Sequence, residues 1–133
     1  MKKSNRSIMK SYVGNIEQLA RENKNFRQVV HTSEHAQVVV MSLLGGEDIG
    51  REVHELDQLL FIVEGSGVAI MNGTESAISA GTLVVVPEGA EHNLRNTGED
   101  LMKLYTIYTP PAHRDGTVHA TKAEAEADEN DHY

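Results

Sequence analysis

The stretch that decides the fold is GTLVVVPEGAEHNLRN, Gly81 to Asn96. It opens with an apolar, β-branched run and then breaks into Pro87, Gly89, His92 and Asn96. β-Branched residues suit a pleated, buried strand, and Pro and Gly interrupt one. A strand fit for burial that turns and restarts at a lone histidine reads as a device for placing that histidine at one end of a sheet.

Outward from this stretch, strand-like runs and turns alternate through the middle of the chain. AQVVVMSLL (36–44), QLLFIVEG (58–65), GVAIMNG (67–73), GTLVVVP (81–87) and LMKLYTIY (101–108) are all rich in β-branched and aliphatic residues. GGEDIG, EGSG, MNGTES, PEGAEHN and NTGED separate them, and Asn72-Gly73 is a strong hairpin signal. Many short strands with closely spaced turns predict an antiparallel sandwich or barrel. Before them, IEQLAREN reads as a short amphipathic helix: Asn15 caps it, Gln18 holds the capping-box position, and Ile16, Leu19 and Ala20 share a face. The predicted organisation is an N-terminal arm and helix over 1–35, a barrel over 36–110, and a C-terminal loop with an acidic tail over 111–133. The paired prolines after Tyr108 end the sheet, and the last ten or so residues are expected to fray, being acidic and poor in apolar groups.

QLLFIVEG places Leu60 and Ile62 on one face and Leu59, Phe61 and Val63 on the other. A sheet with one face in water alternates apolar with polar, so the outer face is expected to be covered. A second subunit, giving a homodimer, is the predicted cover; the helix near 16–23 is the alternative.

Composition narrows the function. The chain has 133 residues, enough for one domain and one core. Only 5% are aromatic and none is cysteine, so the core is aliphatic, and disulfides, thiolate metal sites and cysteine nucleophiles are excluded. Through Arg27 there are seven Lys/Arg against two Glu; beyond it, five against eighteen Asp/Glu. An acidic body does not suit nucleic acid, which wants a basic face. No run is long enough for a membrane span, and MKKSNRSIMKSYVGN has no apolar stretch of a secretory signal. A soluble, cytoplasmic protein is the expectation.

Read as spacing, Gly81–Asn96 is G-x5-P-x-G-x2-H-x3-N, a match expected by chance at roughly one in a few million positions. It resembles the second conserved motif of the cupin superfamily, the small single-domain, RmlC-like jelly-roll proteins. The first motif of that family, H-x-H-x3–4-E-x6-G, falls on REVHELDQLLFIVEG, ending at Gly65. The spacing holds but two letters differ: Glu52 stands at the first His position and Gln58 at the Glu position, with His54 retained. The resemblance implies an all-β double-stranded β-helix (a jelly-roll barrel) with a short N-terminal helix, and a metal held inside one end.

The ligand set that the resemblance implies is Glu52, His54, Gln58 and His92. Two imidazoles, one carboxylate and one amide suit a single divalent transition metal ion, Mn, Fe, Ni or Zn. Glu52 and His54 lie two apart, which on a strand puts them on one side. Glu52 is also the candidate catalytic base. Glu55, Asp57 and Glu91 are read as solvated charges, and His31 and His35 as surface residues. His113 and His119 are read as part of an ordered surface loop, with a lid over the barrel mouth as the alternative. Tyr105, Tyr108 and Arg95 are candidate pocket residues.

The leading functional expectation is a metal-dependent enzyme acting on a small polar metabolite, such as a sugar or sugar acid, in isomerase or lyase chemistry. An iron-dependent dioxygenase and a non-catalytic small-molecule-binding or assembly module are the alternatives.

Overall fold

Turns at positive φ set the corners of the fold. Asn72 and Gly73, at φ 49° and 85°, reverse the chain between two strands, as the Asn-Gly pair predicts. The computed structural model describes residues 10–131. Its elements are α1 (Ile16–Glu22), β1 (Arg27–Thr32), β2 (Gln37–Leu43), β3 (Asp57–Glu64), β4 (Ser66–Met71), β5 (Thr74–Ser79), β6 (Leu83–Val86), β7 (His92–Asn96), β8 (Met102–Thr109), β9 (Val118–His119) and α2 (Lys122–Ala127). The strands form two antiparallel sheets, β6-β3-β8-β2-β1-β9 and β5-β4-β7, the arrangement of a jelly roll.

Alternation along each strand sorts core from surface. In the large sheet, Met41, Leu104 and Ile62 make one inward row across β2, β8 and β3, and Gln37, Tyr108 and Gln58 make another. The first row is aliphatic and packs with Leu43, Leu60, Leu94 and Met102 in the core. The second is polar yet buried, and it lies at the end of the barrel where the candidate ligands gather.

The outer face of the large sheet is partly covered from within the chain. Asn15 caps α1, its Oδ1 accepting from the Gln18 N–H at 3.0 Å, while the Gln18 side chain turns to Glu22 instead of closing the capping box. Ala20 of α1 packs with Val40 and Val63, and Ile16, Val30 and Tyr105 join them. The alternative cover thus exists, but it is short. Leu59, Phe61 and Ile107 remain half-buried on the same face, and Leu83 and Val85 of β6 are 49% and 54% exposed.

Four elements differ from expectation. β1 and β9 lie outside 36–110 and pair with each other and with β2 in the large sheet. β1 hides from pattern reading because its inward Arg27 breaks the apolar alternation. The first half of β5 (TESAIS) falls in the predicted turn MNGTES; the strand buries only Ile78, so its letters are polar. The tail does not simply fray: Thr121 caps α2, its hydroxyl accepting from the Glu124 N–H at 3.1 Å, and the alanines of KAEAEA favour helix. Residues 132–133 of that tail lie outside the described residues.

Candidate metal centre

The turn between β6 and β7 builds the site. Gly89, at φ 86°, permits the tight bend, and the Ala90 N–H donates to the Pro87 carbonyl at 3.1 Å. The Gly89 N–H donates to the His54 carbonyl at 2.9 Å, so the same turn also anchors the first motif. Glu52 is then pinned beside His92 by two backbone hydrogen bonds, each residue's N–H donating to the other's carbonyl at 2.9 Å. The strand expected at Glu52–His54 is absent: Glu52 makes an isolated bridge in an irregular connection. The side chains converge all the same, and the ligand atoms of Glu52, His54 and His92 lie within 4.8 Å of one another.

Gln58 completes the cluster, and its amide is oriented by a chain of donors. The Thr106 hydroxyl donates to the Leu59 carbonyl at 2.8 Å, which leaves its oxygen to accept from Gln58 Nε2 at 3.1 Å. That fixes Gln58 Oε1 toward His92 Nε2, 3.1 Å away. On the other side of the ring, His92 Nδ1 donates to the Ala90 carbonyl at 3.1 Å, so in the neutral ring Nε2 carries a lone pair. Two lone pairs facing each other repel unless a proton or a metal cation lies between them. Adjacent ligands of an octahedral ion with bonds of about 2.1 Å stand about 3.0 Å apart, close to what is seen.

His54 supplies the second sign. Its Nε2 is buried with no hydrogen-bond partner among the described residues, and it stands 3.6 Å from Glu52 Oε1. A buried polar atom is normally paired. The donor set of two imidazoles, a carboxylate and an amide oxygen fits a divalent transition ion.

The sequence profile of the Cupin domain family matches residues 39–108, which carry all four of these side chains. The chain belongs to the cupin family. It is similar to YrkC of Bacillus subtilis, 43% identical over 128 residues that cover 91% of this chain and 69% of that protein. The mimivirus protein L612 is 37% identical over 80% of this chain and 70% of its own length. The crystal structure of BH2720 from Bacillus halodurans superposes with a TM-score of 0.88 at 42% identity, covering 90% of this cupin and 96% of that chain.

Around the cluster, this cupin arranges further titratable groups. Burial would raise the Glu52 carboxyl, but the adjacent His54 ring and the Arg27 charge outweigh it and hold the group below the ordinary value. Burial pushes Tyr108 up to about 12, so its hydroxyl stays a donor. The Tyr108 ring meets His54 edge-on at 6.1 Å and His113 at 5.1 Å. Burial, reinforced by Arg27, brings His113 down to about 4. The neutral ring accepts from the Tyr108 hydroxyl at 3.3 Å and donates from Nδ1 to Asp131 at 2.8 Å.

His113 and His119 are therefore not surface residues: His113 packs against Tyr108, and His119 is buried on β9 beside Arg27. The other secondary candidates sort cleanly. Tyr105 faces outward, stacked on Phe61 at 4.7 Å, and Arg95 pairs with Glu75 at 3.7 Å on the small sheet. Glu55, Asp57 and Glu91 are exposed, His35 is exposed, and His31 stacks on Tyr12 at 5.8 Å.

Sequence reasoning missed three residues: Thr106, Gln37 and Arg27. Gln37 is fully buried and clamps the segment after β8, accepting from the Ala112 and His113 N–H groups at 3.1 and 2.9 Å and donating to the His113 carbonyl at 2.8 Å. The available signal was parity: Gln37 and Thr106 occupy inward positions of otherwise apolar strands. Behind the cluster, the barrel interior leaves a cavity of about 10 Å³ between Gln58, Leu60, Met71, Val86, His92 and Leu94, room for about one water molecule.

Proposed function

We propose that this cupin holds one divalent transition ion through Glu52, His54, Gln58 and His92, and acts on a small polar metabolite of the sugar or sugar-acid type. One observation carries the reading: Gln58 Oε1 and His92 Nε2 stand 3.1 Å apart, close to the spacing of adjacent ligands on one ion, beside a buried and unpartnered His54 Nε2. When bound, the ion supplies Lewis acidity toward a substrate carbonyl or hydroxyl.

The chain's own residues supply the rest. Glu52 is ionised at neutral pH and half-exposed, and its carboxylate oxygen not engaged as a ligand would be placed to take a proton from the substrate. Tyr108 keeps its proton and spends it on the His113 ring, holding that ring in place. The cavity behind the cluster is too small for a substrate, so the substrate has to reach the cluster from outside the barrel interior. Isomerisation or elimination α to a carbonyl fits these roles.

A second reading rests on the composition of the triad alone. Glu52, His54 and His92 are the two-His-one-carboxylate set of non-haem iron oxygenases. Metal-loaded protein screened against sugar phosphates, uronic acids and diketones, with and without oxygen, separates the two. Anaerobic turnover supports the Lewis-acid reading. Turnover that needs iron and oxygen replaces it with the oxygenase. Saturable binding without turnover of any ligand leaves a binding module.

A further inference from the structure

Arg27 opens β1, pairs in register with Met41, and turns its side chain inward, where it is 8% exposed. A buried guanidinium is costly unless it is paired and hydrogen-bonded, and its planar fork matches a carboxylate through two parallel bonds. Arg27 has no such partner among the described residues. Its Nε is buried without a hydrogen bond. One terminal nitrogen donates to His119 Nδ1 at 3.4 Å and stands 3.9 Å from Asp131 Oδ2, outside hydrogen-bond range.

Asp131 is the second observation. It comes from the acidic tail, yet its side chain is only 6% exposed. Oδ2 accepts from His113 Nδ1 at 2.8 Å, and Oδ1 accepts from the Arg114 N–H at 3.3 Å with the Thr117 hydroxyl at the same distance. His119 Nδ1 is 4.0 Å from Oδ2. A carboxylate thus lies in a nest formed by the His113 Nδ1–H and the Arg114 N–H of the segment after β8, with a buried guanidinium 3.9 Å away to which it makes no hydrogen bond. The nest adjoins the metal centre through the Tyr108 ring, which touches His113 on one side and His54 on the other.

We propose that this nest is the carboxylate-binding subsite of the cupin, held in this structure by the chain's own Asp131, and that the natural ligand is a small hydroxy- or oxo-acid whose carboxylate pairs with Arg27 when Asp131 withdraws. The acid's second oxygen then points toward Glu52 and His54. That last step rests on the metal-site reading; the carboxylate subsite does not. The tail acts as an intramolecular competitor, so neutral sugars gain nothing from the nest and sugar acids do.

The test is a titration of uniformly 15N-labelled protein, as purified and again after loading with zinc, using pyruvate and glycerate as probes. Asp131→Asn keeps the shape of the tail residue and removes its charge. It should bind either acid at least tenfold more tightly than the wild type, and the Arg27 Nε–Hε resonance should move with saturation. Asp115→Asn, the same charge change at an exposed residue, should bind like the wild type. If Asp131→Asn does not fold, the wild type at high acid concentration gives the same readout, because the probe must displace Asp131 and shift the Arg27 resonance. Equal affinity in Asp131→Asn and wild type, or binding that leaves the Arg27 resonance fixed, overturns the proposal. Zinc-dependent shifts of His54 and His92 report the metal site separately, so either reading can fail while the other stands.

Discussion

Replacing Thr106 by Val tests the metal site without touching any ligand. The Thr106 hydroxyl is buried between two partners, donating to the Leu59 carbonyl at 2.8 Å and accepting from Gln58 Nε2 at 3.1 Å. Val has nearly the same shape but no hydroxyl. Two hydrogen bonds at about 1 kcal/mol each are lost, and a buried amide N–H is left without a partner, for a total of roughly 2–3 kcal/mol. For a chain of 133 residues that corresponds to a fall in Tm of roughly 7–11 °C. The amide is then free to rotate, and Gln58 Oε1 no longer faces His92 Nε2 in one fixed pose. Loss of such an orienting partner lowers metal affinity by roughly 10–100-fold. The assay is paired: thermal melting of metal-free protein for the first number, and competition against a chromophoric chelator for the second. If Tm falls as expected while metal affinity is unchanged, Thr106 only supports the fold and Gln58 is not a ligand.

Other predictions follow from the same geometry. His54→Ala should melt within a few degrees of the wild type when both are metal-free, because Nε2 makes no hydrogen bond, but should lose the rise in Tm that metal gives the wild type; differential scanning fluorimetry with each ion reads both. His113 stays neutral in the fold, at about 4 against an ordinary 6.5, so the unfolded chain takes up its proton first as pH falls. Stability should therefore drop by roughly 3 kcal/mol between pH 6.5 and 4 and gain nothing from this group above pH 6.5; urea unfolding at stepped pH, with His113→Asn as the comparison, isolates the contribution. The uncovered stripe of Leu59, Phe61, Leu83, Val85 and Ile107 is proposed as a homodimer face. Light scattering should give a dimer at micromolar concentration and a monomer for Val85→Glu, whose site is already 54% exposed in the single chain.

Much of the fold was legible because the strands of the barrel obey simple alternation. Pro87, Gly89, His92 and Asn96 do what their spacing implies: Asn96, fully buried, bonds the Leu43 and Asp100 carbonyls and the Gly98 N–H, closing the turn after β7. What escaped was polar material on the inside. Arg27, Gln37 and Thr106 face inward, but a polar letter in a strand reads as an outward position unless its partners are known, and those partners lie up to 92 residues away. The tail escaped for a related reason. Its acidic composition argues against a core, and Asp128 and Asp131 find their places through His119 and His113, not through apolar burial. At Glu52 and His54 the expected outcome came by another route: reciprocal bonds to His92 and an anchor from Gly89 position them, not strand parity.

Four side chains on two motifs are proposed to hold one ion, and its stoichiometry can be measured outright. Purified wild-type protein is stripped, reloaded in turn with Mn, Fe, Ni and Zn, desalted, and assayed by elemental analysis beside the His54→Ala/His92→Ala double variant. About one equivalent of at least one of these ions per chain is expected in the wild type and none in the variant, with both proteins folded. A wild type that retains none of the four, or a folded double variant that retains as much as the wild type, contradicts the proposal.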